Sequence, residues 1–208
     1  MEVQNVSFGA QPIAKTSIKK LNNKTKQFEN LPVYFVKLEA GNRFDMNAVN
    51  AAARKWKDAI YIKKIATAAQ WIGVKDCADI EVYALTKQKD RFNRLTYRDL
   101  LGFAEMRTDY GFKGYNNLYR LQVNPEVINI NQPKQVKYQH AGSSMLKSLK
   151  KIYNKISLYS VDDPKIEQFY INHGFIRDYK HDGHFLWSSN LFERIKLMID
   201  EFFYPWKV

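Results

Sequence analysis

Hydrophobic residues in the first half of the chain switch between the period of a strand and the period of a helix. Residues 32–39 (PVYFVKLE) are rich in β-branched and aromatic side chains and predict a strand. Apolar residues then recur at helical spacing in two successive segments, the first capped by Asp45 and the second ended by Gly73. Residues 80–86 and 100–107 predict two paired strands joined by a charged linker.

The second half of the chain continues this alternation. Residues 117–123 (NLYRLQV) predict another strand, and residues 142–153 carry apolar side chains on one face and lysines on the other, as an amphipathic helix does. After a strand at 156–161, Asp163 caps a helix that Gly174 ends. The last predicted elements are a strand and a helix, at 185–188 and 192–202.

Length and composition indicate a soluble globular protein. The 208 residues are 45% hydrophobic and 14% aromatic, and no apolar run approaches the ~20 residues that a membrane-spanning helix needs. We therefore expect a mobile tail over residues 1–12 and one domain over 13–208. The start of the chain lacks the pattern of a secretory signal, and a single cysteine, Cys77, has no internal partner, so we expect a cytoplasmic protein without membrane association.

The net charge of +12 favours anionic partners such as a phosphate-bearing cofactor, an acidic protein or nucleic acid. The charge alone does not choose among these classes. Because the basic residues are spread through both halves instead of forming one tract, nucleic acid is possible but not favoured.

The segment Gln139-His140-Ala141-Gly142-Ser143-Ser144 stands between a strand and the amphipathic helix. A turn of small residues that opens a helix directs several backbone N–H groups outward, and these donors at the positive helix end suit a pyrophosphate. Gly142 permits close approach of the phosphates. The alternative is an ordinary helix start, in which Ser143 or Ser144 is the cap.

Two neighbouring motifs change the balance between these alternatives. The six-residue segment resembles the Gln/Arg-x-x-Gly-x-Gly/Ala acyl-CoA signature of the GCN5-related N-acetyltransferase (GNAT) family. Residues 121–126 (LQVNPE) are similar to the end of the family's fourth strand, and residues 169–175 (FYINHGF) to its Phe-Tyr-x-x-x-Gly-Phe helix ending. The resemblance covers residues 80–189 as a fold and is specific over 117–175.

The resemblance implies an α/β (α+β) fold with a mixed, mostly antiparallel central sheet that is flanked by helices and splayed at the fourth strand. It implies acetyl-CoA as acyl donor and no metal. The residues that it assigns to acetyl-CoA binding are Leu121, Gln122, Val123, Gln139, His140, Ala141, Gly142, Ser143, Ser144, Asp163 and Tyr170. Three features depart from the family pattern: a longer loop at 127–137, Ser144 in place of Gly or Ala, and Asp163 where many relatives carry Asn.

The resemblance also implies catalytic roles. Tyr170 is expected to protonate the leaving thiolate, and the Val123 N–H to stabilise the charge that develops on the thioester oxygen. Glu105 is our candidate for the general base, directly or through water. The alternatives are that Tyr170 is a core tyrosine and that Glu105 is a solvated strand residue paired with a Lys or Arg.

Other candidate residues carry less weight. His181 and His184 are too few for a zinc site without cysteine partners. A lysine face on the helix over 142–153 either attracts the CoA 3′-phosphate or is a solvated surface; it comprises Lys147, Lys150 and Lys151. By resemblance the acceptor groove lies around residues 42–73 and 127–137, where Trp56, Tyr61 and Trp71 either line it or pack in the core.

The expected function is transfer of an acetyl group from acetyl-CoA to a primary amine of a small molecule, a protein lysine or a protein N-terminus. Two other classes stay open: a GNAT-like CoA-binding module without catalysis, and a basic nucleic-acid-binding protein. No sequence feature identifies the acceptor or the oligomeric state.

Overall fold

The structure of the chain is a computed structural model. It describes residues 9–39, 41–56, 61–72, 79–90, 92–108, 112, 114–125 and 137–203. The chain divides into two compact units, residues 1–105 with 120–148 and residues 106–119 with 149–208. Whether the two units behave as one domain stays a prediction. Among the described residues, no helix is long and apolar enough to cross a membrane.

The first unit is built on a sheet. Its strand order is β6-β1-β2-β3-β4-β5, and β1 pairs antiparallel with both β2 and β6, as β2 does with β3. The strands are β1 (Gln11–Leu21), β2 (Phe28–Lys37), β3 (Ile80–Thr86), β4 (Leu100–Arg107), β5 (Asn116–Val123) and β6 (Tyr138–Gln139). The helices are α1 (Arg43–Lys55), α2 (Ile62–Ala69) and α3 (Ala141–Ile152), and a 3-10 turn spans Phe92–Arg94. β4, β5 and α3 also contribute residues to the second unit.

One hydrophobic core packs α1 and α2 onto the sheet of the first unit. It joins residues of α1 and α2 to those of β2, β3 and β4. Trp56, at the end of α1, is 2% exposed, and its ring lies 5.4 Å from that of Phe103 on β4. The helical spacing seen in the sequence therefore marks the faces that these two helices bury.

Two details near the start of the first unit differ from prediction. Asn42, not Asp45, caps α1, and its side chain accepts hydrogen bonds from the N–H groups of Phe44 and Asp45. Asp45 is fully buried and accepts a hydrogen bond from the Glu39 N–H (3.1 Å). Residues 9–12, assigned to the tail, include the start of the first unit: residues 9 and 10 are buried, and β1 begins at residue 11. Backbone pairing with β2 fixes this segment, which has few large apolar side chains to reveal it. The mobility of the tail stays a prediction.

The second unit extends from β5 through β7, β9 and β8 in that order. Its further elements are β7 (Lys155–Tyr159), α4 (Pro164–Asn172), β8 (Ile176–Arg177), β9 (His184–Ser188) and α5 (Leu191–Phe203). β7 and β8 both run antiparallel to β9, whereas β5 and β7 are parallel. Their register covers only Asn116 opposite Ile156 and Asn117 opposite Ser157, so within the described residues the two strands part early. This is the splay that the sequence predicted at the fourth strand.

Candidate functional site

The segment that opens α3 has an unusual backbone. β6 places Gln139 opposite Lys19 on β1, and His140 follows with φ of +68°, a left-handed conformation that few non-glycine residues adopt. α3 then begins at Ala141. The chain thus turns from strand to helix through one strained, exposed residue, as sites that present backbone N–H groups often do.

The first turn of α3 presents three backbone donors, the N–H groups of Ala141, Gly142 and Ser143. A helix offers these positions no internal acceptor, and no other described residue accepts from them. The helical ladder starts at Ser144, whose N–H donates to the His140 carbonyl (2.9 Å). The alternative of a serine N-cap is therefore wrong, since both serines lie inside the helix.

Ser144 has a structural contact of its own. Its side chain is 5% exposed, and its hydroxyl donates to the Ser17 carbonyl on β1 (2.6 Å). Ser148, one turn later, donates to the Ser144 carbonyl (2.8 Å). The Ser144 side chain therefore ties α3 to the sheet of the first unit.

The end of β5 is half-buried over its three predicted site residues, Leu121, Gln122 and Val123. The Gln122 side chain accepts from the Tyr61 N–H (3.2 Å) and donates to the Val123 carbonyl (2.8 Å). Its amide therefore connects the strand end to the start of α2. Because the Gln122 side chain is already bonded, an extended ligand at this position would contact the Gln122 backbone.

Gly102, which the sequence analysis did not single out, sets how closely α3 approaches the strands. A Cβ atom at this position would lie 2.9 Å from the Gln122 carbonyl oxygen and 2.7 Å from the Met145 Cε. A larger residue would require these atoms to shift. The first unit thus brings α3 against β4 beside the end of β5. A glycine inside a strand (LLGFAEMR) is the signal that could have predicted this close approach.

Glu105 and Arg120 form a buried ion pair between β4 and β5. Glu105 is fully buried, Arg120 is 14% exposed, and Nη1 lies 2.5 Å from Oε2. Residues 103 and 105 share one face of β4, and Phe103 contacts Trp56, so Glu105 lies on the face covered by α1 and α2. The pairing with a cation agrees with the alternative weighed in the sequence, but Glu105 is not solvated.

Tyr170 lies on α4 in the second unit, half-buried in an aromatic cluster. Its ring is edge-on to those of Phe169 (5.3 Å) and Phe175 (5.8 Å) and tilted against that of Phe185 (6.2 Å). These contacts fix the ring plane. They hold the phenol in one orientation, which both a core role and a catalytic role require.

Both predicted ends of α4 are confirmed. Asp163 is the N-cap and accepts a hydrogen bond from the Lys165 N–H (2.8 Å), and Pro164 follows as the first helical residue. Gly174 adopts φ of +73°, and the Phe175 N–H bonds back to the Tyr170 carbonyl (3.1 Å). The observed contact of the Asp163 carboxylate is thus to the helix it starts.

The three lysines of α3 separate into two kinds. Lys147 and Lys151 are exposed, but Lys150 is half-buried and lies 4.6 Å from the Phe175 ring centre and 4.7 Å from that of Trp187. Burial lowers the pKa of Lys150 to about 8. Its ammonium donates to the His173 carbonyl at the end of α4, so Lys150 belongs to neither predicted alternative.

His181 and His184 gain a third neighbour in the structure, Asp178. One oxygen of this carboxylate lies 2.8 Å from the His181 Nδ1 and 3.3 Å from the His184 Nδ1. Burial opposes ionisation of Asp178, but its hydrogen bonds, first that with His181, outweigh burial and lower its pKa. Burial lowers the pKa of His184. The prediction that the chain holds no metal stays a prediction.

Several other predictions concern the acceptor groove and the cysteine. Trp56 is part of the core, Tyr61 is half-buried, and Trp71 is 47% exposed. Cys77 and most of the lengthened loop, residues 126–136, lie outside the described residues.

No protein-family model and no curated protein matches the chain. Solved structures match it at low identity. The PaiA N-acetyltransferase from Thermoplasma acidophilum, in complex with coenzyme A, is 17% identical, with a TM-score of 0.41 over 74% of this chain and 96% of that one. An acetyltransferase from Thermus thermophilus is 10% identical, with a TM-score of 0.47 over 75% of this chain and 96% of that one.

The structure of AtaTR bound with acetyl-CoA is 12% identical and aligns with a TM-score of 0.50, over 80% of this chain and 98% of that one. The chain has the GNAT fold. The mixed, mostly antiparallel sheet flanked by helices and the early parting of β5 from β7 confirm the fold that the motifs predicted. At these identities the GNAT likeness concerns the fold alone.

Proposed function

We propose that the protein is an N-acetyltransferase that moves an acetyl group from acetyl-CoA to a primary amine. The amine nitrogen attacks the thioester carbonyl, the C–S bond breaks, and the products are an amide and free CoA thiol. The acceptor is a small molecule, a protein lysine or a protein N-terminus. The lone cysteine and the CoA donor suit a reducing cytoplasm.

The first turn of α3 is the observation that carries this proposal. Ala141, Gly142 and Ser143 present three N–H groups at the positive end of a 12-residue helix, after the left-handed residue His140. Donors in this arrangement bind pyrophosphate oxygens without any side chain. Gln139 and Ser144 then act as supports, because one belongs to β6 and the other is bonded to β1.

The end of β5 is proposed to hold the pantetheine arm through the backbone of Leu121 to Val123. The Val123 N–H donates to the thioester oxygen as negative charge develops there. The fixed Gln122 side chain supports this role because it keeps the strand end in one conformation before any ligand binds.

Glu105 is the proposed general base, and it takes the proton that the amine loses on attack. Its location on the face of α1 and α2 supports this role, since the acceptor groove is expected at those helices. Because the Glu105 carboxylate is buried and already paired with the Arg120 guanidinium, the proposed route of the proton from the amine is through a water.

Tyr170 is the proposed general acid, and it gives its proton to the thiolate that leaves. The aromatic cluster around its ring supports precise placement of the hydroxyl. Asp163 supports the role indirectly, because it caps the helix that carries Tyr170.

Calorimetric titration with acetyl-CoA tests the donor site. The wild type should bind in the micromolar range, Gly142→Ala should bind more weakly because its Cβ hinders close approach of the phosphates, and Gly142→Glu should lose binding because it adds bulk and negative charge there. Circular dichroism should show equal helix content in all three. Equal binding by wild type and Gly142→Glu would remove the α3 site from the proposal, and no binding by folded wild type would refute it.

Steady-state kinetics with an amine panel test the two catalytic residues. Tyr170→Phe and Glu105→Gln should each lower kcat while acetyl-CoA affinity stays within twofold, and Phe169→Tyr serves as a control for the aromatic cluster. For Glu105→Gln, raising the pH should recover part of the rate because more amine is then neutral. Unchanged kcat in either variant would remove that residue from the mechanism.

A further inference from the structure

The C-terminal helix α5 has its apolar side outward. Six large apolar side chains form a stripe with helical spacing on its surface, which we call the α5 stripe. With their exposed fractions they are Leu191 (59%), Phe192 (82%), Ile195 (43%), Met198 (54%), Ile199 (50%) and Phe202 (74%). A helix at the surface of a globular domain normally turns such a stripe toward the core.

Several contacts that α5 makes within the second unit are polar. Glu193 forms a 2.5 Å ion pair with Lys155 on β7 and accepts from the Ser188 hydroxyl (2.7 Å). Near the C-terminal end of α5, Glu201 accepts a hydrogen bond from the Tyr179 hydroxyl (3.2 Å). Glu193 and Glu201 thus hold α5 through polar contacts outside the stripe, and the apolar side is left for another surface.

The size of the α5 stripe fits an interface between two copies. Exposed to this degree, six side chains of roughly 150–200 Å² each leave on the order of 600 Å² of apolar surface. That is the upper end of the range, about 300–600 Å², for the largest apolar patch of a typical monomer. Two such stripes facing each other bury about 1,200 Å², which reaches the lower bound of specific protein interfaces.

The charged residues beside the α5 stripe favour an antiparallel arrangement of two α5 helices. Arg194 and Glu201 lie two helical turns apart on the same flank, nearly symmetric about the middle of the stripe. In an antiparallel pair, Arg194 of one copy therefore meets Glu201 of the other, and the reverse pair forms at the same time. Lys196, on the opposite flank, is exposed, so its ammonium stays in water.

The surroundings of Arg194 favour pairing of its guanidinium with a carboxylate from another molecule. It is half-buried, and within the described residues its Nε has no hydrogen-bond partner. It also lies close enough to Lys150 that its charge helps to lower the Lys150 pKa. A half-buried guanidinium beside another cation is stabilised when a carboxylate pairs with its accessible end.

We propose that the α5 stripe is a dimer interface, on which α5 of a second copy packs antiparallel, with Arg194 and Glu201 paired reciprocally across it. The partner is a second copy because one helix supplies both the apolar surface and the two complementary charges. The proposed dimer does not depend on the proposed acetyl transfer.

Sedimentation velocity of the full chain tests the proposal directly. The wild type should be a dimer across the micromolar range, and Phe192→Ser/Phe202→Ser should be a folded monomer. Arg194→Glu and Glu201→Arg should each weaken dimerisation at least tenfold, because each places like charges together. The double variant Arg194→Glu/Glu201→Arg should restore it. Tyr179→Phe, which removes only the internal bond of Glu201, should stay a dimer.

Each other outcome overturns the proposal. A monomeric wild type would show that the α5 stripe does not bind a second copy. A dimer that survives Phe192→Ser/Phe202→Ser would place the interface elsewhere, and a double charge reversal that fails to restore dimerisation would refute the antiparallel arrangement. Flotation of a monomeric wild type with anionic vesicles would assign the stripe to a lipid surface instead.

Discussion

Helices α1 and α2 of the first unit and helix α5 of the second have similar amphipathic sequences but opposite orientations. Trp56, Ile62 and Ile65, from the first pair, are at most 2% exposed in the core. Phe192 and Phe202 of α5 are 82% and 74% exposed. Periodicity therefore predicts that a helix has an apolar side, but not whether that side meets the helix's own sheet or another molecule.

The difference follows from what each helix finds beneath it. The sheet under α1 and α2 offers Val36, Val82 and Phe103, which are apolar and fully buried. The positions that meet α5 include Lys155 and Ser188, which are polar. A helix above polar groups satisfies them with its carboxylates, and its apolar side then faces away. Four measurements test this contrast and its causes.

The largest contrast should come from two phenylalanines. Phe103→Ala should lower the free energy of unfolding by about 3–5 kcal/mol, because it leaves a cavity against Trp56. Phe192→Ala should change it by no more than about 0.5 kcal/mol. Denaturant unfolding should be followed at protein concentrations that keep the chain monomeric. Similar losses in both variants would contradict the outward orientation of α5.

Breaking the buried Glu105–Arg120 ion pair of the first unit should lower the free energy of unfolding by nearly as much as Phe103→Ala does. Arg120→Ala should cost about 3–5 kcal/mol, because it takes the guanidinium from a fully buried carboxylate. Arg120→Met/Glu105→Gln, in which both charges are removed, should lose much less in the same denaturant assay. If the double variant is as unstable as Arg120→Ala, packing and not charge explains the loss.

Asp45 should make the stability of the first unit depend on pH. Burial raises its pKa from 3.8 to about 6, against the opposing hydrogen bond from the Glu39 backbone. Between these values the folded chain binds more protons than the unfolded chain, so the free energy of unfolding should fall by roughly 2–3 kcal/mol as pH rises from 4 to 6. Asp45→Asn should lack this contribution. Parallel pH profiles of wild type and variant would show that Asp45 does not titrate in this window.

The smallest losses of stability should come from replacing two glycines, Gly102, which is needed for close packing, and Gly174, which is needed for its positive φ. Gly102→Ala should cost about 1–3 kcal/mol and speed hydrogen exchange in α3, because the new Cβ meets Met145 and a backbone carbonyl. Gly174→Ala has open space but a positive φ, so it should cost about 1 kcal/mol and leave exchange in α3 unchanged. Faster α3 exchange in both variants would argue against specific contact at Gly102.

The candidate site was predictable where function depends on the backbone. The helix that follows the small-residue turn at Gly142 was predicted from hydrophobic spacing over residues 142–153, and the structure has it at Ala141–Ile152. The partners of the side chains could not be predicted in this way. The partner of Ser144 is Ser17, 127 residues away, and Lys150 lies among rings from β9 and the α4–β8 junction. Pattern reasoning within a short window does not reach such contacts.

Sequence alone determined the order of the main elements and both ends of α4, because each depends on residues within a few positions of one another. Tertiary structure decided which cap starts α1, that two-residue strands form at β6 and β8, that Glu105 is buried with Arg120, and which side of α5 faces outward. These depend on groups brought together from distant parts of the chain. Their free energies come from desolvation and close packing, which exist only once the sheet has formed.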